Sequence, residues 1–510
     1  MPRLSDLLRN VAGARIVSGT DAMEIGDVQD DSRRVAAGDL FVAVPGTKLD
    51  GRKFIDDALA KGAAAILTEA PTNFDDFHAE LAARAALILV PSARQALGVV
   101  AANRFATAMA LTLTAVTGTN GKTTTTYLVE AILAAAGRKP GVIGTVGYRF
   151  GGRQKEASLT TPGALELHAM LADMKQGGAS DVIMEASSIA LDQGRLAGCR
   201  FRVAALTNVT QDHLDYHATM GRYFAAKSVL FRELTTPSGV AVLFADDTQG
   251  VAMKREVSCP VLTLTREDRG ADVVVLDRQL GPDGIHMRLG TPVGTIDIAS
   301  PLVGDFNLAN VLTAVGIALG HGISPSAIAV GVARLRGVPG RLEVVANEAG
   351  VLCVVDYAHT PDALERALDV LRPLTKGRLI CVFGCGGDRD RGKRPLMGEA
   401  AAKRADITLV TSDNPRTEEP DAIIEMILAG VRRTGKAERS ASDLAQGQTG
   451  FHVEADRWAA ISRAVALAKL GDVVLLAGKG HEGYQIIGTE KTHFDDREIA
   501  SAAFAARRSA

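Results

Sequence analysis

The sequence predicts an α/β protein of three domains, and three observations support that expectation. The chain has 510 residues, more than one hydrophobic core serves at roughly 150 residues per domain. Short apolar runs alternate with helix-like stretches along its length. Glycine is abundant at 52 residues while aromatics make up only 4%. That balance suits many tight strand–helix turns better than a base-stacking surface.

Up to about residue 108, apolar runs at 40–44, 64–67 and 87–90 read as strands. Residues 54–61 and 92–105 read as helices, the second opening at a Ser92 cap. A strand at 111–116 then leads into a helix after Lys122, and further strands follow near 181–184 and 203–206. Residues 273–276, 285–289 and 295–298 read as short hairpin strands, and two helices close the domain near Arg336. A third unit opens at 351–354 and continues with strands at 379–383, 408–411 and 473–477. The expected domains are therefore 1–108, 109–337 and 338–510.

Composition excludes several classes. Lys and Arg number 57 against 59 Asp and Glu, for a net charge of −2. No electrostatic footprint for nucleic acid or an anionic membrane is present. Cys199, Cys259, Cys353, Cys381 and Cys385 are odd in number and lack zinc-ligand spacing, which favours free thiols in a reducing compartment. The N-terminus lacks the apolar core of a signal peptide. The longest charge-free stretch, 306–333, is broken by His321-Gly322-Ile323-Ser324-Pro325, so two helices are expected there and not a membrane span. A cytoplasmic protein without membrane insertion is the expectation.

The sharpest motif is Thr117-Gly118-Thr119-Asn120-Gly121-Lys122-Thr123-Thr124, between an expected strand and an expected helix. Glycines let backbone N–H groups face phosphate oxygens, Lys122 can reach the β/γ-phosphates, and Thr123 can ligate Mg²⁺. Val116 stands where the usual first glycine would be. The competing reading is a Gly-rich turn before an ordinary helix. Glu185 ends a buried strand, where open α/β sheets bind ligands, and is a candidate Mg²⁺ ligand; a plain strand-end acid is the alternative. Asn208-Val209-Thr210-Gln211-Asp212-His213-Leu214-Asp215-Tyr216-His217 follows the next strand end, and its two His and two Asp could ligate metal or cap a helix. Residues 388–394 form a basic loop after Gly384, Gly386 and Gly387, either an anion site or a solvated loop.

Taken in order, these motifs resemble the Mur ligase family, the ATP-dependent amide-bond formers of peptidoglycan precursor synthesis. The resemblance also covers Gly304-Asp305-Phe306-Asn307-Leu308-Ala309-Asn310, Gly340-Arg341 and Asp356-Tyr357-Ala358-His359-Thr360-Pro361, and runs from about Ser32 to Glu482. It is strongest to the branch that adds meso-diaminopimelate to UDP-N-acetylmuramoyl-L-Ala-D-Glu, through residues 31–43 and Asp413-Asn414-Pro415-Arg416. The fold it implies has a central P-loop-type parallel sheet. An N-terminal uridine-binding α/β domain and a C-terminal Rossmann-like domain flank that sheet.

The resemblance implies roles by position. Gly118, Thr119, Asn120, Gly121, Lys122, Thr123 and Thr124 would hold ATP phosphates, with Asn307 and Asn310 on the adenine side. Arg341, Asp356 and His359 would complete the nucleotide site. Thr123, Glu185, His213 and Lys227, the last as an N6-carboxylysine carbamate, would coordinate Mg²⁺; Lys122, Glu185, His213 and Lys227 would be catalytic. Ser32, Thr160, Thr161, Ser187, Gln193 and Arg195 would bind the UDP-muramoyl dipeptide. Arg389, Asp413, Asn414, Pro415, Arg416, Gly478 and Glu482 would bind diaminopimelate. Many relatives carry His after the paired serines, whereas this chain has Ile189. A monomer with small-molecule substrates is expected, and closure of the C-terminal domain would gate the reaction. Two rival readings stay open: a sister ligase (a lysine-adding homologue or a folylpolyglutamate synthetase) and a non-catalytic nucleotide-binding regulator.

Overall fold

The structure is a computed structural model that describes residues 1–46, 50–70, 76–106, 111–267, 270–281 and 283–508. The chain forms two compact units. One comprises Met1–Asp277, Met287–Ile298 and Ala309–Arg334; the other comprises Arg278–His286, Ala299–Leu308 and Leu335–Ala510. The joint expected near residue 108 lies outside the described residues.

The first sheet runs Arg15–Ser18, Ala86–Val90, Ala65–Glu69, Leu40–Val42, Val28–Gln29, parallel except for its first strand. Its edge strands Arg15–Ser18 and Val28–Gln29 are additions to the sequence reading. They are short and only partly buried, so hydropathy alone does not mark them. Helix Ala93–Phe105 begins at Ser92, whose Oγ accepts the Gln95 N–H, as its sequence suggests.

The large sheet has a parallel centre in which Phe201–Leu206 and Asp181–Glu185 flank Thr112–Thr117. Thr112–Thr117 is buried along almost its whole length, as a strand covered on both faces must be. The hairpin strands are longer than the sequence suggests, at Val273–Gly281, Gly284–Thr291 and Gly294–Ser300. The charge-free stretch resolves into two helices, Asp305–Gly320 and Pro325–Arg334. Among the described residues no helix is long and apolar enough to cross a membrane.

The other unit holds a six-stranded sheet in the order Glu343–Val345, Leu352–Asp356, Val473–Ala477, Leu379–Phe383, Ile407–Val410, Gly450–Val453. Only its first strand is antiparallel. Helices Pro361–Leu371, Lys393–Arg404 and Pro420–Arg433 pack on one face through Leu364, Leu368, Met397, Ile423 and Ile427. Burying one such side chain fully contributes roughly 1.5–3 kcal/mol. All five cysteines are free, as their spacing suggests, and the fold buries each of them.

Two histidines of the first unit are held by hydrogen-bonding partners, His168 fully buried and His321 half-buried. His168 Nε2 lies 3.2 Å from the Ala197 carbonyl, and His321 Nε2 lies 2.7 Å from Thr114 Oγ1. Burial lowers each imidazole from 6.5 to about 4. Between those values the unfolded chain binds protons that the folded chain refuses, so stability falls as pH drops through that window. Each histidine contributes up to about 1.4 kcal/mol per pH unit there. Thermal melts at about pH 7.5 and about pH 5 should show this loss, and a His168→Gln/His321→Asn double variant should flatten it. An unchanged pH slope in the double variant contradicts the assignment.

Candidate functional site

The strand Thr112–Thr117 ends in a loop that passes directly into helix Lys122–Ala135. Two glycines make that turn possible. Gly118 has φ +145° and a Cβ there would stand 1.9 Å from Thr207 Oγ1; Gly121 has φ +88° and a Cβ there would stand 2.2 Å from Asn310 Oδ1. The neighbouring strand end clamps the loop from the side. Asn208 Oδ1 accepts the Asn120 N–H at 3.1 Å, its Nδ2 donates to Asn120 O at 3.1 Å, and its carbonyl accepts the Thr119 N–H at 2.9 Å. Thr207 Oγ1 donates to Asn120 O at 2.6 Å. Thr119 Oγ1 lies 3.0 Å from the Tyr223 hydroxyl.

Lys122 Nζ donates to Gly118 O and Thr119 O, both at 2.8 Å. Lys227 Nζ donates to the same Gly118 carbonyl at 3.0 Å and sits 4.3 Å from the centre of the Tyr223 ring. Lys227 lies on helix Met220–Val229 and is only 1% exposed. Burial first, and the nearby Lys122 charge second, hold its pKa well below the ordinary lysine value.

Glu185 ends its strand fully buried. Its Oε2 accepts Thr123 Oγ1 at 3.1 Å and Thr145 Oγ1 at 3.0 Å, while Oε1 accepts the Thr145 N–H at 2.9 Å. A network continues from there. Thr145 Oγ1 meets Thr160 Oγ1 at 3.0 Å, Thr161 Oγ1 donates to Glu185 O at 2.7 Å, and Ser187 N donates to Thr161 Oγ1 at 3.1 Å. Arg195 donates to Thr161 O at 2.9 Å and to Gln193 Oε1 at 2.7 Å. Hydroxyl and carboxylate oxygens at Thr123 and Glu185 fit a hard dication that takes its other ligands from phosphate and water. Among the described residues no group of three or more His, Cys, Asp or Glu is placed to hold a metal by itself. His213 has φ +51°, is 43% exposed, and its Nε2 lies 3.5 Å from Asp212 Oδ2. Helix Leu214–His217 follows without a side-chain cap from His213, so capping is not that residue's task.

In the other unit, Asp356 accepts the N–H groups of Leu342 and Ala358, both at 2.8 Å. Burial raises its carboxyl pKa, opposed by Arg341. The Arg341 guanidinium lies 5.2 Å from the centre of the Tyr357 ring, and the His359 ring packs against the same ring at 4.5 Å, tilted by 54°. Asp413 and Asn414 are buried beyond the strand Ile407–Val410. Asn414 Nδ2 donates to Glu482 Oε2 at 2.8 Å, and Asn414 Oδ1 accepts Lys479 Nζ at 3.1 Å. Gly478 has φ +111°, and a Cβ there would stand 2.6 Å from Asp413 Oδ2. Arg416 has φ +53° and donates through Nη1 to Gly387 O at 2.8 Å. Arg389 is exposed on the adjoining loop, and Pro415 O approaches Gly387 closely enough to exclude a side chain there.

Family models match most of the chain: a Mur ligase family catalytic domain over 24–105, a Mur ligase middle domain over 116–318 and a Mur ligase glutamate ligase domain over 340–480. The chain belongs to the Mur ligase family. It is 46% identical to the UDP-N-acetylmuramoyl-L-alanyl-D-glutamate--2,6-diaminopimelate ligase of Geobacter sulfurreducens, covering 98% of each chain. It is 48% identical to the ligase of the same name from Synechococcus elongatus, covering 96% of this chain and 95% of that one. A solved structure of a ligase so named is 33% identical, with TM-score 0.72 and 99% of both chains covered. The fold is shared more widely, including with Escherichia coli FolC in complex with ADP at 20% identity and TM-score 0.58, over 82% of this chain and 94% of that one.

For this Mur ligase, the structure brings Gly118–Thr124, Glu185, Lys227, Asn310, Thr160, Thr161, Ser187, Gln193 and Arg195 into one connected region of the first unit. Ser32 stands apart from that network, at a turn where Lys61 Nζ donates to its carbonyl at 2.9 Å. Asn307 Nδ2 donates to Val303 O at 2.8 Å. Sequence reasoning missed Thr145, Asn208, Tyr223 and Lys479. Thr145, Asn208 and Lys479 stand within two residues of the ends of strands Pro140–Gly144, Phe201–Leu206 and Val473–Ala477 and had a positional signal; Tyr223 had none. Ile189 is half-buried on helix Ser188–Asp192, while the His217 imidazole meets Ser188 Oγ at 3.0 Å.

The loop geometry predicts the effect of Gly118→Ala. The added methyl collides with Thr207 at a φ that L-residues rarely adopt. Nucleotide affinity should fall by about tenfold or more, roughly 1.4 kcal/mol, with the fold retained. Calorimetric titration with a nucleotide checks this, and unchanged affinity contradicts it.

Proposed function

We propose that this Mur ligase joins meso-diaminopimelate to UDP-N-acetylmuramoyl-L-Ala-D-Glu at the expense of ATP, in the cytoplasm. The observation behind this reading is near-full-length similarity, at 46% identity, to a ligase with that printed name. We assign 1–108 to the UDP-sugar end, 109–337 to ATP and 338–510 to the amino acid.

A carboxylate and an amine do not condense in water, so the D-glutamyl carboxylate first attacks the γ-phosphorus of ATP. ADP leaves and an acyl phosphate forms. The free amine then attacks the acyl carbon, the tetrahedral intermediate expels phosphate, and the amine proton is lost. Lys122 balances charge on the γ-phosphoryl group, and the backbone N–H groups of the Gly118–Thr123 loop orient it. Thr160, Thr161, Ser187, Gln193 and Arg195 hold the muramoyl dipeptide beside Glu185. Thr123, Glu185, His213 and carbamylated Lys227 would hold Mg²⁺, which supplies electrostatic stabilisation of the transferring phosphoryl group. Lys227 suits carbamylation because burial and Lys122 favour its neutral amine, the form that reacts with CO₂. Asn307, Asn310, Arg341, Asp356 and His359 complete the nucleotide contacts.

Arg416 and Arg389 select the amino acid. Diaminopimelate differs from lysine by a terminal carboxylate, and an arginine fork binds a carboxylate through two parallel hydrogen bonds. Asp413, Asn414, Gly478 and Glu482 face the amino groups, and Pro415 stiffens the loop.

Turnover tests the reading directly: ADP should form only when dipeptide, ATP and diaminopimelate are all present. ADP formation with ATP alone, or equal use of lysine, overturns it. Arg416→Ala should weaken diaminopimelate use by about 2–5 kcal/mol and leave the KM for ATP nearly unchanged. Lys227→Ala should fold but lose most activity, and a short carboxylic acid should restore part of it. Failure of any such acid to help argues against the carbamate.

A further inference from the structure

The selector arginines sit on two separate loops, one after the strand Leu379–Phe383 and one after Ile407–Val410. Each loop contains a residue other than glycine in the left-handed region: Asp388 and Arg416, both at φ +53°. Such backbone persists only where surrounding bonds fix it. On the first loop the bond that fixes it comes from Glu418, which follows Arg416 by two residues on the second loop. Glu418 Oε1 accepts the Asp388 N–H at 2.7 Å and Arg394 Nη2 at 2.8 Å; its Oε2 accepts Arg394 Nη1 at 3.0 Å and forms an ion pair with Arg391, whose Nη2 lies 3.0 Å away. Arg394 has no exposed side-chain surface and also donates to Gly386 O at 3.2 Å. Asp388 answers by accepting Thr417 Oγ1 at 2.7 Å, and Gly387 N donates to Asn414 O at 2.9 Å.

We propose that Glu418 is a positioning residue that locks the Arg389 loop to the Arg416 loop, so that both guanidiniums meet one amino-acid substrate. The proposal rests on the amino-acid role given to those arginines above. Three protein hydrogen bonds and the Arg391 ion pair occupy the Glu418 carboxylate and its side chain is only 12% exposed, so it acts through the loops and not by touching substrate. The bidentate Arg394 pair sets the distance between loops, because a planar fork on a carboxylate tolerates little sliding. The Asp388 N–H bond sets the left-handed turn that directs Arg389. On the other loop, the backbone of Arg416 is tied to the hairpin of Tyr484–Ile487 and Glu490–His493. Arg416 N donates to Ile486 O at 3.1 Å, and Gly488 N donates to Arg416 O at 2.7 Å. Hydrogen bonding from Arg394 holds the Glu418 carboxyl down at about 2, so the lock stays ionised through the neutral range.

The test uses the full chain with Glu418→Gln and Glu418→Ala, measuring KM for each of the three substrates and the melting temperature. Glutamine keeps the shape but presents an NH₂ to donors, so the KM for the amino acid should rise about tenfold, and about a hundredfold for alanine. The KM values for ATP and the UDP-muramoyl dipeptide should stay within about twofold, which a general loss of structure would not allow. If Glu418→Ala does not fold, Glu418→Gln decides. An amino-acid KM within about twofold of wild type, an equal rise in all three KM values, or a Glu418→Gln chain that does not fold overturns the proposal. Should the wild type prefer lysine, the substrate assignment fails on its own, and the lock is judged by the same ratios with lysine.

Discussion

Two lysine side chains donate to one carbonyl oxygen, that of Gly118, and the rest of the first unit's site is arranged around that constraint. Lys122 can be balanced by phosphate, which the loop N–H groups and the helix N-terminus also favour. Lys227 is different, because it is fully buried and a second cation stands beside it. A buried charge persists only if paired, and otherwise the group releases its proton. The protein therefore contains a lysine prepared for the neutral form next to a loop built for polyanions. That combination gives the site both an electrophile-binding end and an amine able to take up CO₂.

Sheet topology places these groups without long loops. The strand Thr112–Thr117 has parallel neighbours on both sides, so three strand ends open on one edge. The phosphate loop, Glu185 and the Thr207–Asn208 clamp come from those ends. The six-stranded sheet repeats the arrangement with Asp356, Gly478, the Gly384–Gly387 turn and Asp413. Ligand chemistry at the carboxyl ends of parallel strands is the general behaviour of open α/β sheets.

Much of this was legible in the sequence because strand, glycine and lysine occur in a fixed local order. The phosphate loop, the strand ending at Glu185 and the paired helices after residue 304 needed only neighbouring residues to be read. The edge strand Arg15–Ser18 was not legible, since an amphipathic edge lacks a continuous apolar run. Thr145 directly follows the strand Pro140–Gly144, but its contact with Glu185 comes only from the parallel pairing of strands distant in sequence. The burial of Lys227 was suggested by Phe224, Ala225 and Ala226, but its shared acceptor with Lys122 is a tertiary fact. Glu418 reads as an ordinary loop acid until the fold sets it against Arg394.

The central claim is that Lys227 serves as an acid-bearing side chain made from its neutral amine. The most direct measurement is ¹³C NMR of the intact protein equilibrated with ¹³C-bicarbonate, Mg²⁺ and ATP. The account predicts a protein-bound carbamate resonance that disappears in Lys227→Ala. A fully active enzyme showing no such resonance, or one that keeps it without Lys227, would contradict the account.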